Sequence, residues 1–103
     1  MKKSQFERLN SHYQKIWERL FSDSVPADFT YSEARTLLVG GLGFQESNKG
    51  KTSGSRVKFF RPEEDKNKQE VVLLHKPHPG DVMKKSSVKG LREQLLALYE
   101  KAK

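Results

Sequence analysis

The chain contains no cysteine, which excludes disulfides, thiolate metal sites and cysteine nucleophiles and leaves the redox compartment without a witness. Long apolar runs are also missing. The longest, such as residues 71–74, fall far short of a membrane span or a signal-peptide core, so no membrane contact is expected and the expected location is the cytoplasm. Acids are scarce relative to bases. Twenty Lys and Arg stand against thirteen Asp and Glu, a net +7 that points to a polyanionic partner such as nucleic acid, an anionic lipid surface or an acidic protein. With 103 residues there is room for one ordinary module and none for a two-domain enzyme with its own cofactor fold. Apolar residues make up only 34%, but six Phe, three Tyr and one Trp each bury a large area, so a folded core is feasible.

Periodicity orders the chain. Phe6, Leu9, Tyr13, Ile16, Trp17, Leu20 and Phe21 recur at steps of three and four and predict one amphipathic helix over residues 4–21. Pro26 and the Ser22-Asp23-Ser24 turn end it. Thr30-Tyr31-Ser32-Glu33 is a capping box that starts a second helix, with Ala34, Leu37 and Leu38 inward and Gly40-Gly41 expected to stop it. Three strands follow at 44–47, 56–60 and 70–75, separated by a glycine-serine-lysine loop at 48–55 and a charged hairpin loop at 62–68. Lys76-Pro77-His78-Pro79-Gly80 is a stiffened connection, and Ser86-Ser87 is expected to cap a last helix whose inner face is Val88, Leu91, Leu95, Leu98, Tyr99 and Ala102. The order predicts an α+β two-layer sandwich, αβββα, preceded by an extra N-terminal amphipathic helix; the boundary is drawn as 1–27 for that helix and linker and 28–103 for the domain. In the second strand one register turns Val57 and Phe59 inward and Arg56, Lys58 and Phe60 outward, where an aromatic between cations suits stacking on an unpaired base; the competing register buries Phe60 beneath the first helix, and the alternation alone leaves both open.

The positive charge is localised. Residues 48–61 hold Lys49, Lys51, Arg56, Lys58 and Arg61 and no acid; residues 75–92 hold Lys76, Lys84, Lys85, Lys89 and Arg92 against Asp81 alone. These segments carry more than the whole net charge, so the rest of the chain is slightly acidic. Lys84 and Lys85 lead into a helix N-terminus, whose free amides favour an anion.

Asp28-Phe29-Thr30-Tyr31, Leu42-Gly43-Phe44, Gly54-Ser55-Arg56-Val57-Lys58-Phe59, His78-Pro79 and Lys84-Lys85-Ser86-Ser87-Val88-Lys89-Gly90-Leu91, in that order, resemble the HicA-type toxins (HicA/YcfA-like mRNA interferases) over roughly residues 28–99. The resemblance implies a double-stranded-RNA-binding-like αβββα fold and the toxin of a type II toxin-antitoxin system. It further implies a metal-independent endoribonuclease acting on mRNA, with no cofactor, inhibited by a HicB-type antitoxin. The RNA-binding residues expected from the two basic segments are Lys49, Lys51, Ser55, Arg56, Lys58, Lys84, Lys85 and Lys89. The position after the Gly-Ser pair is usually a histidine in that family, taken to be catalytic, and is Arg56 here. Arginine stays protonated and cannot serve as a general base, although it can clamp a phosphate. His75 is the candidate to supply the missing acid-base group, so Arg56 and His75 are the expected catalytic residues. The alternative expectation is a non-catalytic module that binds RNA or an antitoxin; a third is an adaptor whose first helix and basic face engage an acidic protein. His78 is expected to shape a proline turn, His12 to be exposed, and Glu63, Glu64 and Asp65 to be solvated loop charge.

Overall fold

In a computed structural model of the chain, residues 2–47, 56–62, 69–77 and 79–102 are described. The element order is α1 (Lys3–Glu7), α2 (Ser11–Leu20), α3 (Tyr31–Arg35) running into a π-helical turn (Thr36–Gly41), β1 (Gln45–Glu46), β2 (Arg56–Arg61), β3 (Glu70–His75) and α4 (Lys85–Lys101). The strands form one antiparallel sheet in the order β1-β2-β3. The fold is α+β, with N-terminal helices, a three-stranded sheet and α4 packed on that sheet.

One cluster of buried side chains joins the helices to β2 and β3. Phe59, Val72 and Leu74 from the sheet meet Ala34, Leu37 and Leu38 from the α3 segment, Val88, Leu91 and Leu95 from α4, and Phe6, Ile16 and Leu20 from the N-terminal helices. Burial of each large side chain contributes roughly 1.5–3 kcal/mol. The amphipathic stripe at the N-terminus is thus spent on the chain's own core. Phe6 sits edge-on to both Trp17 (5.5 Å) and Tyr99 of α4 (5.4 Å), so aromatic packing fixes α1 and α2 against the end of α4.

The stripe is two helices rather than one. Asn10 interrupts it, its backbone extended and its side-chain oxygen accepting the Tyr13 amide, which makes it the N-cap of α2. The capping box at Thr30 forms as expected, with Thr30 Oγ1 accepting the Glu33 amide and Glu33 accepting the Thr30 amide. The stop does not. Gly40 and Gly41 lie inside the π turn, closed by the Leu42 amide on the Leu37 carbonyl at 2.9 Å, and the left-handed residue is Gly43 at φ 77°. Gly40 answers a different need: a Cβ there would lie 2.6 Å from the Tyr13 hydroxyl, so the missing side chain lets α2 approach. The last helix also starts differently. Lys84, not Ser86 or Ser87, holds the N-cap position and makes no side-chain cap bond, which puts both serines in the first turn.

Candidate nucleic-acid interface

The sheet register settles which side chains share a face. Phe59 pairs with Val72 and both are fully buried, so Arg56, Lys58 and Phe60 stand on the opposite, open face, the first of the two registers the alternation allows. Directly across from them on β3 are His75, Leu73 and Val71. Gln45 of β1 continues the Phe60 row. Arg56, Lys58, Val71, Leu73 and His75 are exposed and Phe60 is half-buried. The Lys58 ammonium lies 6.0 Å from the centre of the Phe60 ring.

The edge of β3 fixes how close Arg56 and His75 come. Gln94 of α4 accepts from the Leu73 amide (2.8 Å) and donates to the Leu73 carbonyl (2.9 Å), so both main-chain groups of Leu73 face away from β2. By the two-residue period, His75 is turned the same way, which makes Arg56 and His75 a non-hydrogen-bonded pair, the kind whose Cα atoms stand about 4.5 Å apart with side chains side by side.

Beyond His75 the chain turns toward α4. Gly80, at φ 91°, takes the left-handed conformation this reversal requires. The segment leading to α4 is then pinned to the segment leading to α3: the Tyr31 amide donates to the Asp81 carbonyl (2.8 Å), the Met83 amide to the Phe29 carbonyl (2.8 Å), and Thr30 pairs with Val82. This tie places Lys84 and the first turn of α4 beside the end of β3. The result is an open pocket of about 540 Å³ lined by His75, Lys76, Pro77, Pro79, Val82, Lys84, Ser86 and Ser87. No acid lines it among the described residues.

Of the sequence-derived site residues, Arg56, Lys58 and His75 therefore lie together on the open face, and His75 and Lys84 share the pocket. Lys85 and Lys89 are exposed on α4, one turn apart and outside the pocket lining. Lys49, Lys51, Ser55 and His78 lie outside the described residues, as do Glu63, Glu64 and Asp65. Lys76, Ser86 and Ser87 were not singled out as site residues; the signal for Lys76 was its place immediately after His75 at a strand exit. Two arginines counted with the positive segments turn out to serve the scaffold. Arg92 donates to the main-chain carbonyls of Leu20 and Ser22 and so closes the C-terminus of α2. Arg61 donates to Glu70 (3.2 Å) and to Gln5 (3.3 Å).

The remaining ionised groups with shifted behaviour are also structural. Burial works against the charge on Glu33, but Arg19 and the Thr30 donors outweigh it and hold the carboxyl below its ordinary range; the same bond to Glu33 raises Arg19. The Tyr31 hydroxyl donates to Glu46 at 2.6 Å, which together with Arg35 keeps Glu46 ionised to lower pH, while burial and that bond push Tyr31 upward. Among the described residues no three His, Asp or Glu side chains gather closely enough to hold a metal ion, and no helix is long and apolar enough to cross a membrane. In comparisons with protein-family models, curated proteins and solved structures, nothing matches the chain.

Proposed function

We propose that this protein is an RNA-binding toxin of the HicA type, acting on mRNA as a metal-independent endoribonuclease and held in check by a HicB-type antitoxin. The observation that carries the reading is the run Lys58, Arg56, His75, Lys84: three share one sheet face, and His75 and Lys84 line one pocket. A phosphate ester bound across Arg56 and Lys84 sits beside the imidazole of His75. Arg56 supplies the fixed positive charge that stabilises the non-bridging oxygens as negative charge builds on them. His75 takes the proton from the neighbouring 2′-hydroxyl, whose oxygen attacks the phosphorus and displaces the 5′-oxygen of the next nucleotide. The order α3, β1, β2, β3, α4 supports the finer assignment to a double-stranded-RNA-binding-like αβββα sandwich, with Lys84, Lys85 and Lys89 at the start of α4 among the RNA contacts.

The test is incubation of the purified protein with a long RNA in the presence of a chelator. Fragments are expected, and His75→Ala is expected to lower their rate by at least about a hundredfold, the typical contribution of acid-base catalysis. Equal fragment yields from the wild type and His75→Ala would remove the catalytic role.

One observation favours a second reading. The position that is usually histidine in the HicA family is Arg56, which cannot exchange a proton near neutral pH. In that reading the face binds RNA or the antitoxin without cutting. RNA binding with no fragments, and no growth arrest on expression, would select it.

A further inference from the structure

We infer that the open sheet face is the base-binding half of the RNA site and that it selects a single-stranded segment, its bases lying on Phe60, Val71 and Leu73. The inference rests on the reading of this face as an RNA site and goes beyond it in naming the form of the substrate.

The argument starts from exposed apolar surface. Among the described residues the large exposed apolar side chains are Val71 (37%), Leu73 (46%), Val82 (53%) and Leu96. Three of the four border the cationic row: Val71 and Leu73 stand opposite Phe60 and Lys58, and Val82 forms a wall of the pocket. Apolar and positive groups thus alternate, with Gln45 a neutral polar neighbour and no acid at the open-face strand positions among the described residues. A duplex keeps its bases stacked inside and offers phosphates and sugars, which leaves such apolar surface uncovered. An unpaired strand offers a base face and a phosphate in alternation, matching this pattern. From Val71 to His75 the strand runs about 13 Å, room for about two bases before the chain of phosphates reaches the pocket. A protein partner adding a strand at β3 is disfavoured, because Gln94 already occupies both main-chain groups of Leu73.

The experiment compares three RNA probes of equal length by fluorescence anisotropy, all with 2′-O-methyl sugars so that none is cut. One is single-stranded, one is the same sequence in a duplex, and one keeps the backbone with abasic positions. Wild-type protein is expected to bind the single strand about tenfold or more tighter than the abasic strand, the scale of one or two stacked bases. Leu73→Ser, at a surface position, is expected to erase most of that difference while leaving the abasic affinity unchanged; Val71→Ser serves as a second variant if the first unfolds. Lys84→Ala is expected to weaken all three probes alike. A duplex or abasic strand bound as tightly as the single strand overturns the inference. So do serine variants with unchanged single-strand affinity, the outcome if the face docks a protein. Either leaves the RNA reading standing. Absence of salt-sensitive binding to every probe overturns the RNA reading itself.

Discussion

The two sides of the sheet use positive charge in opposite ways. Away from the open face, Arg19 is held by Asp28 and Glu33, Arg35 by Glu46, Arg61 by Glu70, and Arg92 by the carbonyls of Leu20 and Ser22 at and just past the end of α2. Each is bonded to an acceptor the fold itself supplies. On the open face Arg56, Lys58 and His75 are gathered, Lys84 shares the pocket of His75, and no carboxylate is among the described residues there. Charge held by the fold's own acceptors tells of scaffolding; charge gathered onto one exposed face tells of a partner that brings anions. A net +7 alone does not separate the two.

The sharpest way to break this contrast is to truncate one residue from each side. Phe59→Ala, on the buried face, is expected to cost about 3–5 kcal/mol of unfolding free energy in a denaturant titration. Leu73→Ala, on the opposite, exposed face of the same sheet, is expected to change stability by about 0.5 kcal/mol or less. A comparable loss from both would mean that the open face is covered in the folded protein.

Removing a cation gives a smaller effect of the same kind. Arg92→Ala removes two charge-assisted bonds at the end of α2 and is expected to cost about 1.5–3 kcal/mol, whereas Lys58→Ala, at an exposed position, is expected to cost about 0.5 kcal/mol or less and to act on RNA affinity instead. Thermal unfolding and RNA binding measured on both variants check the split.

Acid sharpens it further. Glu33 and Glu46 have folded pKa values below their unfolded ones, so the unfolded chain takes up their protons first as pH falls. Their stabilising contribution is present above about pH 4.3 and is lost as pH drops through the folded values. Unfolding midpoints are expected to fall below about pH 4.3, and less steeply in Glu46→Gln than in wild type. An unchanged slope would show that the Tyr31, Glu46 and Arg35 contacts contribute nothing.

Much of this division was legible in the sequence where one local rule decides. Strand alternation divided Val57 and Phe59 from Arg56, Lys58 and Phe60 without saying which set faces the core, and the Thr30 capping box formed from neighbours three residues apart. What escaped was set by distant partners. Gly40 and Gly41 resemble a helix stop, but Tyr13 of another helix explains the space at Gly40. Arg92 looked like part of a basic surface because nothing nearby in sequence reveals that the carbonyls of Leu20 and Ser22 lie within its reach. Asn10 carried a usable local signal, a capping residue inside an apolar stripe, which the continuous spacing of that stripe masked. Within the site, Arg56, Lys58, His75 and Lys84 were legible as residue types; their convergence depends on the bridge between 29–31 and 81–83, a tertiary contact.

The central claim, that β2, β3 and the start of α4 form one phosphate-binding surface, is tested most directly by RNA affinity as a function of salt. Wild-type protein is expected to lose affinity steeply as salt rises, and Arg56→Ala and Lys84→Ala each to flatten the log-log slope by about 0.7, with Arg92→Ala leaving it unchanged. A slope near zero in wild type, or one that neither Arg56→Ala nor Lys84→Ala alters, would contradict it.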